Sequence, residues 1–163
     1  MEEPTLGQGI PVECKGIVCI VIRKSKDTSQ TLLLRRKVSY EGEWCYVSGR
    51  IEEGEKAWEA ALRETREETG LVPERLYSAD TSEQFYLANK DDYWIAPVFV
   101  AFVGPDQEVQ LNFEHSEYIW TSFEDAISKV PFPPQKIILE YVDKWFVQNE
   151  PSEWLLIDPS GTS

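Results

Sequence analysis

The chain has 163 residues and a formal charge of −13, set by 29 acidic against 16 basic side chains. Hydrophobic residues make up 42% and aromatic residues 12%, a composition that suits one globular domain and excludes a disordered chain. The acidic balance argues against nucleic acid or an anionic membrane as the main partner, because both need a basic footprint; a small phosphorylated ligand stays open, since divalent cations can sit between two sets of negative charge.

Residues 1–12 read as a loose arm. The β-branched run from Lys15 to Arg23 predicts a buried strand. Asp27 to Gln30 supply a turn, Thr31 to Arg36 a second strand ending in two arginines, and Trp44 to Val47 a short strand before Ser48-Gly49. The period then changes. Over 55–69, Ala57, Trp58, Ala61, Leu62 and Thr65 cluster on one side of a helical wheel, and Gly70 is placed as a C-terminal cap. Further strands are predicted near 75–87, 93–103 and 117–121. A short helix opens at Phe123, and a last one, started by Pro133-Pro134, runs to about Val147. Trp154 to Ile157 is too apolar to float free and is expected to pack on the domain or on a neighbouring subunit. The pattern predicts an α/β (α+β) fold, a sandwich with a mixed sheet between helices. The expected layout is an arm over 1–12, one domain over 13–148 and a tail over 149–163.

No apolar run approaches the roughly 20 residues that span a bilayer. The segment MEEPTLGQGIPVE lacks the basic and apolar parts of a signal peptide, so a cytoplasmic location is the expectation. Cys14, Cys19 and Cys45 are odd in number and lack metal-ligand spacing; reduced, packed thiols are expected.

The segment from Gly49 to Leu71 is the informative one. Glu64, Glu67 and Glu68 share one helical face, where like charges repel by roughly 0.2–0.5 kcal/mol per pair. Glu67 and Glu68 also occupy the last turn, where the helix dipole favours cations by roughly 0.3–1 kcal/mol. A cluster that local physics disfavours points to a bound divalent cation. The alternative is a solvated acidic face, helped by Glu59–Arg63 and Arg63–Glu67 pairs.

Gly49, Glu55, Arg63, Glu64, Glu67, Glu68, Gly70 and Leu71 fit the pattern G-x5-E-x7-R-E-U-x-E-E-x-G-U, where U is a bulky aliphatic. This resembles the signature box of the Nudix family, with Thr65 a departure at the first U. Trp44 with Val47-Ser48-Gly49 looks like the strand that enters such a box, with Val-Ser-Gly where many relatives have Pro-Gly-Gly. Glu114-His115 followed by Trp120 is similar to the Glu-His…Trp strand found after the box in many members. The resemblance covers roughly residues 14–148 and implies an α/β/α sandwich and Mg²⁺-dependent hydrolysis of a phosphoanhydride bond, with Mn²⁺ as a substitute. It implies Gly49, Glu64, Glu67 and Glu68 as metal ligands, with Glu114 as a further one. Glu64 is the general-base candidate inside the box, and Glu114 or Glu117 are alternatives outside it. Arg63 is expected to orient the carboxylates, and Glu55 to fix the loop and the helix start.

Arg35 and Arg36 are candidates to clamp a phosphate, with a solvated strand end as the alternative. Trp44 and Tyr86 are candidates to stack on a base or pterin ring, with Tyr46 and Tyr93 behind them. His115, the sole histidine, reads as a hydrogen-bonded structural group. Trp58 reads as core or interface. The expected partner is a small phosphorylated molecule; a homodimer is left open. The stretch from Trp44 to Gly54, the Glu-His…Trp strand and the last helix resemble the dihydroneopterin triphosphate or dATP pyrophosphohydrolases, which release pyrophosphate and leave a monophosphate. The alternatives are a dinucleoside polyphosphate hydrolase, with Tyr86 near the place of a tyrosine common in such enzymes, and a nucleotide-binding sensor without catalysis. The sensor is disfavoured because every box glutamate is present.

Overall fold

The computed structural model describes residues 7–160. Its strands are β1 (Val12–Glu13), β2 (Gly16–Ser25), β3 (Thr28–Arg36), β4 (Trp44–Cys45), β5 (Val47–Arg50), β6 (Arg75–Leu87), β7 (Asp92–Val103) and β8 (His115–Thr121). Its α-helices are α1 (Ala57–Thr69), α2 (Phe123–Lys129) and α3 (Pro133–Val142). β2 dictates the layering. Its side chains alternate in direction, and both sets are apolar, so both faces of the sheet need cover. Ile17, Cys19 and Val21 face one core, which Ala60 and Ala61 of α1 close. Val18, Ile20 and Ile22 face the other, closed by Phe123 and Ala126 of α2 and by Ile138, Leu139 and Val142 of α3. The result is the expected α/β/α sandwich around a mixed sheet.

β2 runs parallel to β7, and β7 is antiparallel to β6 along most of its length. The β2–β3 hairpin pairs only near its turn, between Ile22–Ser25 and Thr28–Thr31. Beyond that point the two strands part into a fork. β5 pairs with Gly16–Cys19 on one prong, and β4 pairs with Leu34 and Arg35 on the other. The single strand predicted over 44–47 is therefore two, broken at Tyr46, because each half serves a different neighbour. β8 lines the outer side of β3, with a register shift between Arg35 and Arg36.

Two boundaries differ from the sequence reading, and the last helix, which ends near Val147 as expected, changes type on the way. Val12 and Glu13 pair in parallel with Tyr93 and Trp94, so the end of the predicted arm is docked on the sheet; residues 1–6 lie outside the described residues. β3 starts at Thr28, which leaves a tighter turn than the one expected over 27–30. α3 continues as a π-helical turn over Asp143–Val147, which places Phe146 in the core. The tail packs on its own domain: the Ile157 amide donates to the Leu76 carbonyl at 2.9 Å, and Leu155 and Ile157 lie against the two cores. Trp154, at 96% exposed, and Leu156, at 39%, are the exceptions. The three cysteines are free, with Cys19 and Cys45 buried and Cys14 exposed. Among the described residues no helix is long and apolar enough to cross a membrane.

Candidate active site

Arg63 organises the carboxylates of α1. Its Nε and Nη2 donate to the two oxygens of Glu55 at 2.8 and 3.0 Å, a bidentate pair that brings the loop before the helix onto its side. Nη1 donates to Glu64 Oε1 at 2.8 Å and to Glu67 Oε2 at 3.2 Å. Nη2 also reaches the Arg50 carbonyl at 2.7 Å, tying the end of β5 to α1. The Glu59–Arg63 pair expected from spacing is not formed: the guanidinium is taken up by Glu55, and Glu59 instead accepts from the Lys56 amide at 3.3 Å. Gly70 closes the helix in the left-handed region, φ 72°, as the sequence requires of a glycine cap.

Gly49 lies under the Glu64 carboxyl group, where any side chain would collide with it. Glu64 and Glu68 face a cavity of about 480 Å³ whose other walls include Arg36, Ser48, Gly49, Arg50, Glu114 and His115. Glu68 is only 3% exposed. Burial, then the neighbouring Glu64 and Glu114 charges, push its pKa up to about 9. Its Oε2 is buried with no hydrogen-bond partner among the described residues, and so is His115 Nδ1. Burial and then the Arg36 charge hold the His115 pKa down at about 4. Ligand atoms of Glu68, Glu114 and His115 lie within 4.8 Å of one another. A carboxylate oxygen buried without a partner beside two more carboxylates is costly for the protein alone and well matched to a divalent cation. His115 enters this group unforeseen; that Glu68 Oε2 and His115 Nδ1 are each buried without a partner among the described residues is visible only in three dimensions.

A second cavity, of about 470 Å³, shares Arg36, Ser48, Gly49 and Arg50 with the first. Its lining is aromatic: Trp44, Tyr46, Phe85, Tyr86, Trp94 and Phe132 all contribute. The Phe85 and Trp94 rings are parallel within 3°, with centroids 6.5 Å apart, and the Arg50 guanidinium lies 5.7 Å from the Trp94 ring centre. Tyr46 donates its hydroxyl to Glu83 Oε1 at 3.0 Å inside this cavity. Such a chamber, apolar with a few polar groups, suits a flat heterocycle.

The sequence candidates divide between these places. Glu64, Glu68 and Glu114 meet at the first cavity, Trp44 and Tyr86 at the second, and Arg36 and Gly49 at both. Glu67 is half-exposed and lines neither; it is held by Arg63. Arg35 also lines neither, because Glu117 at 2.7 Å and the Gly42 carbonyl at 3.1 Å occupy its guanidinium. Arg50, Glu83, Phe85, Trp94 and Phe132 were missed. For Arg50 the signal was a cation directly after the box glycine; for Phe85 and Trp94 only the pairing of β6 with β7 places them on one wall, and Phe132 comes from the start of α3.

Fold and site define a hydrolase that acts on phosphoanhydride bonds. Residues 15–144 match the NUDIX domain, and the chain belongs to the Nudix family. It is 34% identical over 123 residues to the asymmetrical bis(5'-nucleosyl)-tetraphosphatase of Caenorhabditis elegans, covering 71% of this chain and 83% of that one. It is 32% identical over 125 residues to a Myxococcus xanthus protein named octanoyltransferase, of whose length it spans 34%. The structure of a Caenorhabditis elegans Ap4A hydrolase binary complex superposes with a TM-score of 0.70 at 26% identity, covering 81% of this chain and 96% of that chain. The Escherichia coli dihydroneopterin triphosphate pyrophosphohydrolase superposes with a TM-score of 0.62 at 22% identity, over 76% and 92% of the two chains, a likeness of fold alone.

Proposed function

We propose that this chain is a Mg²⁺-dependent pyrophosphohydrolase of a nucleoside triphosphate or similar compound, of the dATP or dihydroneopterin triphosphate type. It releases pyrophosphate and a monophosphate. The observation that carries this reading is the continuity of the aromatic and carboxylate cavities along Arg36 and Ser48–Arg50. A heterocycle in the first of these leaves its phosphates on that strip, facing Glu64, Glu68 and Glu114.

Glu64, Glu68, Glu114 and the Gly49 carbonyl would hold the metal, with His115 beside them and Glu67 at the rim. Bound there, a divalent ion supplies charge neutralisation and Lewis acidity to the phosphates. The remaining work falls to the chain's own residues. Arg36 and Arg50 bind phosphate oxygens. Arg63 spends its donors on Glu55, Glu64 and Glu67 and so positions carboxylates without meeting the substrate. Glu64 Oε1 is held by Arg63, and Oε2 takes the proton as water attacks phosphorus and the phosphoanhydride bond breaks.

A second reading, hydrolysis of a dinucleoside tetraphosphate, is favoured by the tetraphosphatase relatives. Product analysis separates the two. With Mg²⁺ present, dATP should yield dAMP and pyrophosphate, dihydroneopterin triphosphate should yield its monophosphate and pyrophosphate, and no dADP should form first. Inert triphosphates together with ATP and AMP from diadenosine tetraphosphate would establish the second reading instead.

A further inference from the structure

Neither the carboxylate cluster nor the Arg63 network uses Glu83. β6 carries it opposite Ala96 of β7, and it lines the aromatic cavity while only 8% exposed. The Tyr46 hydroxyl donates to Oε1, and no hydrogen bond reaches Oε2 among the described residues. Burial raises its pKa, opposed by the Tyr46 hydrogen bond. A side chain needed only to fill this space would be apolar, because a carboxylate there costs desolvation without a charged partner. It is also an acceptor only, with lone pairs left on both oxygens after Tyr46 is served.

We propose that Glu83 selects the heterocycle by accepting two parallel N–H bonds from a 2-amino-4-oxopyrimidine edge, the group that guanine and pterins share. This rests on the reading above that the aromatic cavity holds the heterocycle. The edge presents an amino N–H beside a ring N–H, which matches the two oxygens of one carboxylate. Adenine presents an amino group beside a ring nitrogen lone pair, and that lone pair would face a carboxylate oxygen. Of the two substrate types named above, Glu83 therefore favours the pterin and disfavours dATP, and it admits a guanine nucleotide on the same chemistry.

Two measurements on the full chain test this. Thermal shifts with GMP and AMP in EDTA read base recognition without hydrolysis. Values of kcat/KM for GTP, ITP, ATP and dihydroneopterin triphosphate read it in turnover, with the diguanosine and diadenosine tetraphosphates replacing them if triphosphates are inert. GMP should stabilise more than AMP, and guanine should exceed adenine by about tenfold or more, the discrimination of a good bidentate pair. ITP, which lacks the amino group, should fall between them. Glu83→Gln puts an amide donor where Oε2 was, so it should lose the guanine preference and gain on adenine. AMP shifting the melt as far as GMP, ITP matching GTP, or a folded Glu83→Gln with the wild-type ratio would each overturn the proposal. If Glu83→Gln does not fold, the wild-type comparisons of GMP with AMP and of GTP with ITP decide alone. A faster rate on the pterin triphosphate than on GTP supports the proposal with the pterin as source, and the reverse supports it with guanine. Selective GMP binding with no hydrolysis of any substrate would remove the proposed reaction and leave this assignment standing.

Discussion

Glu64 lies across the α-carbon of Gly49, so closely that a β-carbon on Gly49 would overlap its carboxyl group. Replacing Gly49 with alanine must therefore move Glu64. The expected outcome is a fall in kcat of about a hundredfold, the scale set by a misplacement of about 1 Å in a catalytic group. Steady-state kinetics beside a circular dichroism melt would separate this from unfolding; wild-type kcat would show that the contact is only packing.

Arg63→Lys keeps the charge but loses the fork that serves Glu55, Glu64 and Glu67 together. Outer partners of metal ligands typically govern affinity by roughly 10–100-fold. Titration of Mg²⁺ against initial rate should show a loss on that scale, and an unchanged midpoint would remove Arg63 from the metal site.

Three of the four glutamates of α1, Glu59, Glu67 and Glu68, should not be equal. Glu68→Gln alters the buried carboxylate proposed to hold the metal and should lower kcat by orders of magnitude. Glu67→Gln, at the exposed rim, should cost less, and Glu59→Gln, bonded only to the Lys56 amide, should cost almost nothing. Three equal kcat values would mean that the acidic face is only surface.

The metal-free protein should lose stability as pH rises from about 6.5 to about 9. Glu68 has a folded pKa of about 9 against an ordinary 4.5, so folding takes up a proton that becomes scarcer with pH, and the penalty is complete once Glu68 ionises. His115 runs the other way. Its folded pKa of about 4 lies below the ordinary 6.5, so it raises stability with pH only across 4 to 6.5 and leaves the alkaline window to Glu68. Melting temperatures in EDTA should fall across that window, Glu68→Gln should flatten the fall, and millimolar Mg²⁺ should offset it by ligand linkage. A flat wild-type profile, or no response to Mg²⁺ or Mn²⁺, would sink the metal assignment.

How much of this was readable in advance depends on where the information sits. The doubly buried β2 and the capped α1 are local patterns, and both were legible from side-chain periodicity and one glycine. The box resemblance likewise pointed to Gly49, Glu64, Glu67 and Glu68, of which all but Glu67 line the carboxylate cavity. The break at Tyr46 was not legible, because it arises from competition between two prongs of a distant hairpin. Glu83 and Trp94 were hidden for a similar reason: their wall exists only once β6 and β7 are in register. Arg35 and Arg36 look alike in sequence, yet the register shift between them sends one to Glu117 and the other to the cavities.

The forked hairpin also sets what can move. Ser48 and Gly49 are paired along β2, and Arg50 is paired there and clasped by Arg63, so the strip proposed to meet the phosphates is pinned by the sheet and by α1. Ser39 and Tyr40, by contrast, stand on an exposed loop with positive φ, and Arg36 stays in place through the Ser39 carbonyl. Side-chain replacement at exposed Val38 or Tyr40, which line the two cavities, therefore reshapes the mouth of the site while the Ser39 carbonyl still holds Arg36.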